Sequence, residues 1–531
     1  MNPKLRILCL VFADLVVFAS CQKESELSSI SENMFSEKAE TDFVTTEGQT
    51  VLGDVIDIPY SIENLLKAYD NLPAQTKSQI DLEDIQPTHY YVRFYPKSIE
   101  EQDILRNIKP YVFLSETPLD RKVVVGGSSY HDPSIPADLP TFQYTVVPVA
   151  RWAELEKTVP VEAEILIKAF IPDYDDDYTT KSEERYGIPV AAYDALLREA
   201  YIMTGNELPE PLTRGSSWFP SGRIRAYDNG VNGYVPIKGV RVRGTHLLNV
   251  KETLTDSNGH FTLPSFKNSV NLKIVWESDL WDVRDGLVGQ ATFDGPSLDG
   301  APWNCEIGPQ HEKNIRYAAM HRAAYRYYYD YCDDLIPPIS FRKEKLCFID
   351  DIGSGDSMSN MGLGALPDMR VYGKKSSSQY RETYEIYKTT SHEFAHLSHC
   401  LWAGQLNFWN TDLIVKESWA EFAEYILTSL EYASLGINPN NIVDTRQDWT
   451  RYAFSVEYSP FFIDCYDSFN QNTSGYSYLY DDITGFSSNQ INQVVIISFS
   501  LSDAKEYLKM MKPAYISDNQ IDSYYNNYVG L

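Results

Sequence analysis

Two long stretches in the C-terminal half of the chain repeat apolar residues at helical spacing. In the first, Tyr387, Thr390, Phe394, Leu397 and Leu401 fall on one helical face, which predicts a helix over roughly residues 381–402. In the second, Val415, Trp419, Phe422, Ile426 and Leu430 share one face while Glu417, Glu421 and Glu424 share the other. Further helices are predicted over 62–71, 99–106, 190–204 and 312–331. Runs rich in Tyr, Val, Ile and Phe predict strands over 89–95, 111–114, 145–149, 163–170, 345–349 and 369–372. Between 220 and 282 the period changes to short alternating strands separated by Gly- and Asn-bearing turns, the pattern of a small β-sandwich.

These segments predict a multidomain α+β chain of 531 residues with ordinary hydrophobic content, 43%. The expected order is a signal peptide over 1–20, a disordered tether over 21–50 and an α+β domain over 51–215. A β-sandwich over 218–283 and a mainly helical domain with a small sheet over 285–531 follow. The tether is rich in Ser, Glu, Lys and Thr and poor in large apolar residues, so it cannot bury a core. Asp173 and Asp175 to Asp177 read as a solvated acidic loop, because no EF-hand spacing surrounds them. The sandwich segment "PIKGVRV … TDSNGHFTL" resembles the transthyretin-like modules attached to carboxypeptidases and bacterial surface proteins. That resemblance implies a spacer or docking module without catalytic residues.

The N-terminus carries Lys4 and Arg6, then an apolar run over 7–19 that is too short to span a bilayer. Phe18-Ala19-Ser20-Cys21 closes that run and resembles a lipobox, which implies lipidation of Cys21 after cleavage. The expectation is a lipid-anchored protein at the outer membrane or surface of a Gram-negative bacterium, with the periplasmic face as the alternative. A formal charge of −28 excludes nucleic acid as a partner, since phosphate binding needs a basic surface. Beyond the signal remain Cys305, Cys332, Cys347, Cys400 and Cys465, an odd number without Cys-x-x-Cys spacing. A disulfide scaffold and a cysteine zinc site are therefore not expected.

The predicted helix over 381–402 contains His392-Glu393-Phe394-Ala395-His396. Histidines at i and i+4 project from one face a turn apart, so both imidazoles reach one Zn²⁺ ion. Glu393 lies beside that face, placed to take a proton from an attacking water and pass it to a leaving amine. The competing reading is an ordinary amphipathic helix with its histidines in solvent.

A catalytic zinc site needs a third protein ligand. His399 is on the same face, but about 10 Å of helical rise separates it from His392, too far for one ion. Glu417 and Glu421 remain. Glu417-Ser418-Trp419-Ala420-Glu421-Phe422 resembles the segment of gluzincin peptidases, the aminopeptidase N-type and thermolysin-like zinc enzymes, in which the first Glu is the third ligand. That resemblance implies Glu417 as ligand and Glu421 as the acid that orients a ligating His; Glu421 as ligand with Glu417 in support is the alternative. Glu424 reads as solvated. Lys416 stands where thermolysin-like enzymes carry Asn, and no His follows His399. An oxyanion donor must then be a Tyr, with Tyr452, Tyr458 and the cluster from Tyr476 to Tyr480 eligible.

The resulting expectation is a zinc metallopeptidase of gluzincin type. It would act outside the cytoplasm on protein or peptide substrates, glycoproteins included. An aminopeptidase is the alternative among enzymes, and a non-catalytic surface lipoprotein binding glycan or host protein is the alternative from another class.

Overall fold

The computed structural model describes residue 43 and residues 45–171, 184–185, 187–206, 208, 217–339, 342–353, 355–356, 369–443, 458–469 and 483–528. Cys21, the acidic loop over 173–177, Tyr452 and the cluster from Tyr476 to Tyr480 lie outside them. The fold is multidomain α+β. From Val44 onward the chain forms one compact unit.

The N-terminal part is built on a three-stranded antiparallel sheet. Helices α1 (Ile62–Asn71), α2 (Ile99–Arg106), α3 (Val149–Thr158) and α4 (Val190–Met203) surround it. Strand β1 (His89–Phe94) is central, between β2 (Gln143–Pro148) and β3 (Ala163–Ala169). Alternation along β1 decides which face each side chain serves. Tyr91 packs with Leu65 and Leu196 of α1 and α4. Val92 and Phe94 pack with Leu105 and Trp152 of α2 and α3. The strand expected over 111–114 does not form. Tyr111 is instead held through its side chain: its hydroxyl lies 3.0 Å from both Glu252 and Glu277, and the Arg241 guanidinium sits 4.5 Å from its ring. Those contacts replace a ladder of backbone hydrogen bonds.

The sandwich has two sheets. One runs β7 (Asn249–Leu254), β6 (Arg241–His246), β9 (Val270–Val275), β12 (Thr292–Leu298). The other runs β8 (His260–Thr262), β4 (Ser221–Asp228), β13 (Trp303–Ile307), with β5 (Gly233–Pro236) on β4. The sheets therefore draw on residues as far as Ile307. Between β9 and β12 the chain leaves the sandwich to supply β10 (Trp281–Asp285) and β11 (Gly289–Gln290) to a third sheet. That sheet runs β11, β10, β14 (Glu344–Ile352), β16 (Met369–Ser376), β15 (Gly355–Asp356), parallel through β10, β14 and β16. The short β15 runs antiparallel on the edge.

Helices α5 (Glu312–Tyr329), α6 (Thr383–Ala403), α7 (Gln405–Asn410) and α8 (Leu413–Ser434) pack on this region, followed by α9 (Phe461–Tyr466), α10 (Ser488–Ile497), α11 (Leu501–Met511) and α12 (Asp518–Tyr528). Helix α6 starts at a reciprocal capping box between Glu382 and Glu385 and stops at Gly404, whose φ of 84° favours glycine. Its predicted apolar face is buried: Tyr387, Phe394 and Leu397 join one core with Trp281 of β10, Ile315 of α5 and Trp419 of α8. One hydrophobic core thus runs from the sandwich into the helices, because β10 crosses between them.

A buried charge cluster ties the same pieces together. Glu431 of α8 accepts from Arg322 at 3.0 and 2.7 Å and from Arg326 at 3.1 and 2.7 Å. Arg322 also donates to Asp228 of β4 at 2.6 Å, and the Tyr432 hydroxyl donates to Asp228 at 3.0 Å.

Candidate metal centre

Helices α6 and α8 pack side by side, and two contacts set their rotation. The Trp419 indole N–H donates to the Ala395 carbonyl at 3.1 Å, and the rings of Tyr387 and Tyr432 meet edge to face at 5.8 Å. Ala395 lies directly before His396, and Trp419 lies two residues after Glu417. The packing that buries Trp419 therefore turns Glu417 toward the two histidines.

His392 Nε2 lies 3.1 Å from Glu417 Oε2, and His396 Nε2 lies 3.3 Å from the same oxygen. A ligand atom from each of the three residues lies within 4.8 Å of the other two. Bonds of about 2.0–2.1 Å to a tetrahedral zinc place donor atoms about 3.3–3.4 Å apart. Two imidazole nitrogens and one carboxylate oxygen are also the donor types zinc takes, so the residues fit that ion. The two imidazole rings stand nearly perpendicular, at 81° with centroids 4.9 Å apart, so both aim at one point without stacking.

The other nitrogen of His392 faces two further acids. Glu421 Oε1 is 3.8 Å and Glu424 Oε2 is 3.6 Å from His392 Nδ1. Glu424 is not a solvated residue of the polar face: it is 8% exposed and paired with Lys388 at 3.0 Å. The sequence held one signal for this, Lys388 one turn before His392 on the same helix. Among these acids Glu421 lies at the expected orienting position, and Glu424 comes closer to the ring. Neither is Glu421 among the atoms converging with His396. The Nδ1 of His396 is buried with no hydrogen-bond partner among the described residues.

Burial opposes ionisation at Glu417, but the paired His392 and His396 outweigh it and hold its carboxyl far below the usual range. Burial likewise opposes a charged His392, and the hydrogen bonds it donates to Glu417 and Glu424 raise its pKa well above the ordinary value. Glu421 is pushed up to about 7 by burial and by the neighbouring Glu424. Lys388 works in the opposite direction on Glu424, whose pKa is lowered despite burial.

These residues open onto a cleft of about 500 Å³. Glu393 lines it and is 5% exposed. Gly355 of the edge strand β15 lies against Glu393; a Cβ at that glycine would fall 2.1 Å from Glu393 Oε1. Tyr458 lines the cleft as well, the member of the eligible tyrosines that the described residues include. The opposite flank is formed by Phe408 and Trp409 of α7 with Leu413 and Lys416 of α8. Sequence reasoning did not find Gly355, Phe408 or Trp409, whose approach to the motif depends on sheet order and on the turn at Gly404. His399 is buried with its ring 5.1 Å from Phe408 and is not part of the converging set.

No family profile, curated protein or solved structure shows significant similarity to this chain.

Proposed function

We propose that the chain is a zinc-dependent peptidase whose metal is held by His392, His396 and Glu417. The observation that carries this reading is the convergence of two imidazole nitrogens and a carboxylate oxygen at separations of 3.1 and 3.3 Å, with Glu393 lining the same cleft. When bound, the ion would supply Lewis-acid chemistry, acidifying water and polarising a carbonyl.

The chain's own residues divide the remaining work. Glu393 accepts the proton of the attacking water and returns it to the leaving amine. The Tyr458 hydroxyl is the donor within the cleft for the charge that develops on the carbonyl oxygen. Glu421 and Glu424 orient the His392 ring from its far nitrogen. The antiparallel edge strand β15 borders the cleft at Gly355, so an extended peptide can add to that edge. Internal cleavage is the favoured mode, with an aminopeptidase as the alternative; a substrate with a blocked amino terminus separates them. The N-terminal lipobox-like segment supports lipid anchoring through Cys21 at the outer membrane or cell surface, with protein or peptide substrates met there. No helix among the described residues is long and apolar enough to cross a membrane.

Zinc content of the purified protein, measured beside His396→Ala, tests the centre. About one zinc per chain, lost in the variant, is expected. Peptide cleavage abolished by Glu393→Ala then tests the chemistry. No zinc after reconstitution, or cleavage unchanged in Glu393→Ala, overturns the reading and leaves a tethered binding protein.

A further inference from the structure

Basic side chains in this protein are scarce and mostly engaged: 46 Lys and Arg stand against 74 Asp and Glu. The buried guanidiniums of Arg106, Arg241, Arg284, Arg322 and Arg326 all have carboxylate partners. Beside the cleft-lining Glu424, Lys388 is held in an ion pair. Lys416 is different. It lines the cleft, half-buried, with Asp412 and Glu417 within electrostatic reach but no described carboxylate in ion-pair contact. Its ammonium sits 5.1 Å from the centroid of the Phe408 ring, itself a wall of the cleft.

The surroundings of Lys416 are apolar on one side. Trp409 and Leu413 both line the cleft yet remain 43% and 46% exposed. Leu406 of α7 and Trp402 at the end of α6 are exposed as well, at 64% and 45%. This flank belongs to His396, whose ring meets Phe408 at 6.4 Å. The acidic pair Glu421 and Glu424 belongs to the other flank, on the far nitrogen of His392. An anionic group entering along α7 therefore meets Lys416 rather than those two carboxylates. A partly desolvated ammonium with no carboxylate in direct contact gains from a charge-assisted hydrogen bond, and an apolar wall gains from covering.

We propose that Lys416, with the wall formed by Phe408, Trp409 and Leu413, is a substrate subsite that receives a carboxylate carried beside an apolar residue. The proposal rests on the peptidase reading and narrows its substrates to peptides with such a group next to the cleaved bond. The carboxylate has two sources, an Asp or Glu side chain or the α-carboxylate of a peptide's C-terminus.

Binding to the zinc-loaded full chain, followed by calorimetry, tests this without turnover. One pair of probes is N-acetylphenylalanine and its amide; the other is acetyl-Phe-Glu-amide and acetyl-Phe-Gln-amide. In the wild type the acid of at least one pair should bind about tenfold more tightly than its neutral partner, the scale of a charge-assisted hydrogen bond. Lys416→Gln should erase that preference, Lys416→Arg should retain it, and both variants should keep the zinc content of the wild type. Preference in the first pair assigns the C-terminal carboxylate; preference in the second assigns the side chain. Equal binding of acid and neutral probes by the wild type overturns the proposal. So does a preference that survives Lys416→Gln, which would place the carboxylate on the metal. Loss of the peptidase reading would show separately, as cleavage that does not depend on Glu393.

Discussion

Replacing Glu431 with Gln should destabilise the protein by about 3–5 kcal/mol, the cost of removing one partner from a buried ion pair. The arithmetic follows from the cluster. Glu431 holds two guanidiniums at once, each through two nitrogens, at 2.7–3.1 Å. The side chains of Arg322 and Arg326 are 6% and 7% exposed, so water cannot replace the lost oxygen charge. With Asp228 and the Asp330–Lys238 pair beside Arg326 included, the wild-type cluster balances three cations against three anions. Glu431→Gln leaves one buried positive charge in excess and turns amide hydrogens toward guanidinium donors. Chemical unfolding followed by near-ultraviolet circular dichroism measures the loss. Glu417 lies at the opposite end of α8 from Glu431, so zinc binding by the still-folded variant should persist. A loss below about 1 kcal/mol would refute the reasoning, because that is the range of exposed pairs. A double variant that also converts Arg326 to Met should recover part of the stability by restoring neutrality.

Gly355→Ala should leave zinc content unchanged and reduce kcat on a peptide substrate by about 100-fold, the scale for a catalytic group misplaced by an ångström. The new Cβ would fall 2.1 Å from Glu393 Oε1 and 2.8 Å from a Thr389 methyl, so the carboxylate must swing away; unchanged kcat would show that Glu393 does not act from this position. His321 should contribute an acid-labile component to stability. It accepts from the Trp281 indole at 3.2 Å and donates to the Lys238 carbonyl at 2.8 Å, a pairing that requires the neutral ring. Burial lowers its pKa from 6.5 to about 4. The folded value is depressed, so the stabilisation is complete above pH 6.5 and is lost as pH falls toward about 4. His321→Gln should flatten that limb of the stability curve by about 1.4 kcal/mol per pH unit; an unchanged slope would refute the assignment.

Much of the local structure was legible because periodicity and caps are local signals. The helices at Ile62–Asn71 and Ile99–Arg106 begin and end where the sequence pattern places them, each behind a Ser whose side chain caps it. The face of α6 opposite the histidines was legible for the same reason, through Tyr387, Phe394 and Leu397. What was hidden depends on distant partners. Nothing local to Trp281–Asp285 says that it leaves the sandwich to pair in parallel with Glu344–Ile352. Residues 111–114 have the composition of a strand, but Arg241 and Glu277 capture Tyr111. Glu424 shares a helical face with Glu417 and looked solvated. Its burial follows from the approach of Lys388 on α6, which only the packing of two helices produces.

The reading of α6 as an amphipathic helix with its histidines in water does not survive their burial. His392, Glu393 and His396 are 9%, 5% and 7% exposed, and Glu424 is 8% exposed. Taking such groups out of water costs several kcal/mol per ion unless something compensates. The compensation within the protein is incomplete. Four carboxylates, Glu393, Glu417, Glu421 and Glu424, line the cleft; among the described residues Lys416 lines it too, and Lys388 pairs with Glu424. With all four acids ionised they outnumber these lysine ammonium groups by two, and without a metal a proton on His392 and one on Glu421 make up that difference. The strain shows at Glu421, which retains its proton up to about pH 7. A divalent cation at the point where His392, His396 and Glu417 converge would take the place of those protons. A purely structural pair of helices would gain by replacing these residues with apolar ones of similar volume. The burial of these residues beside one cleft is the physical reason to test this protein for zinc before anything else.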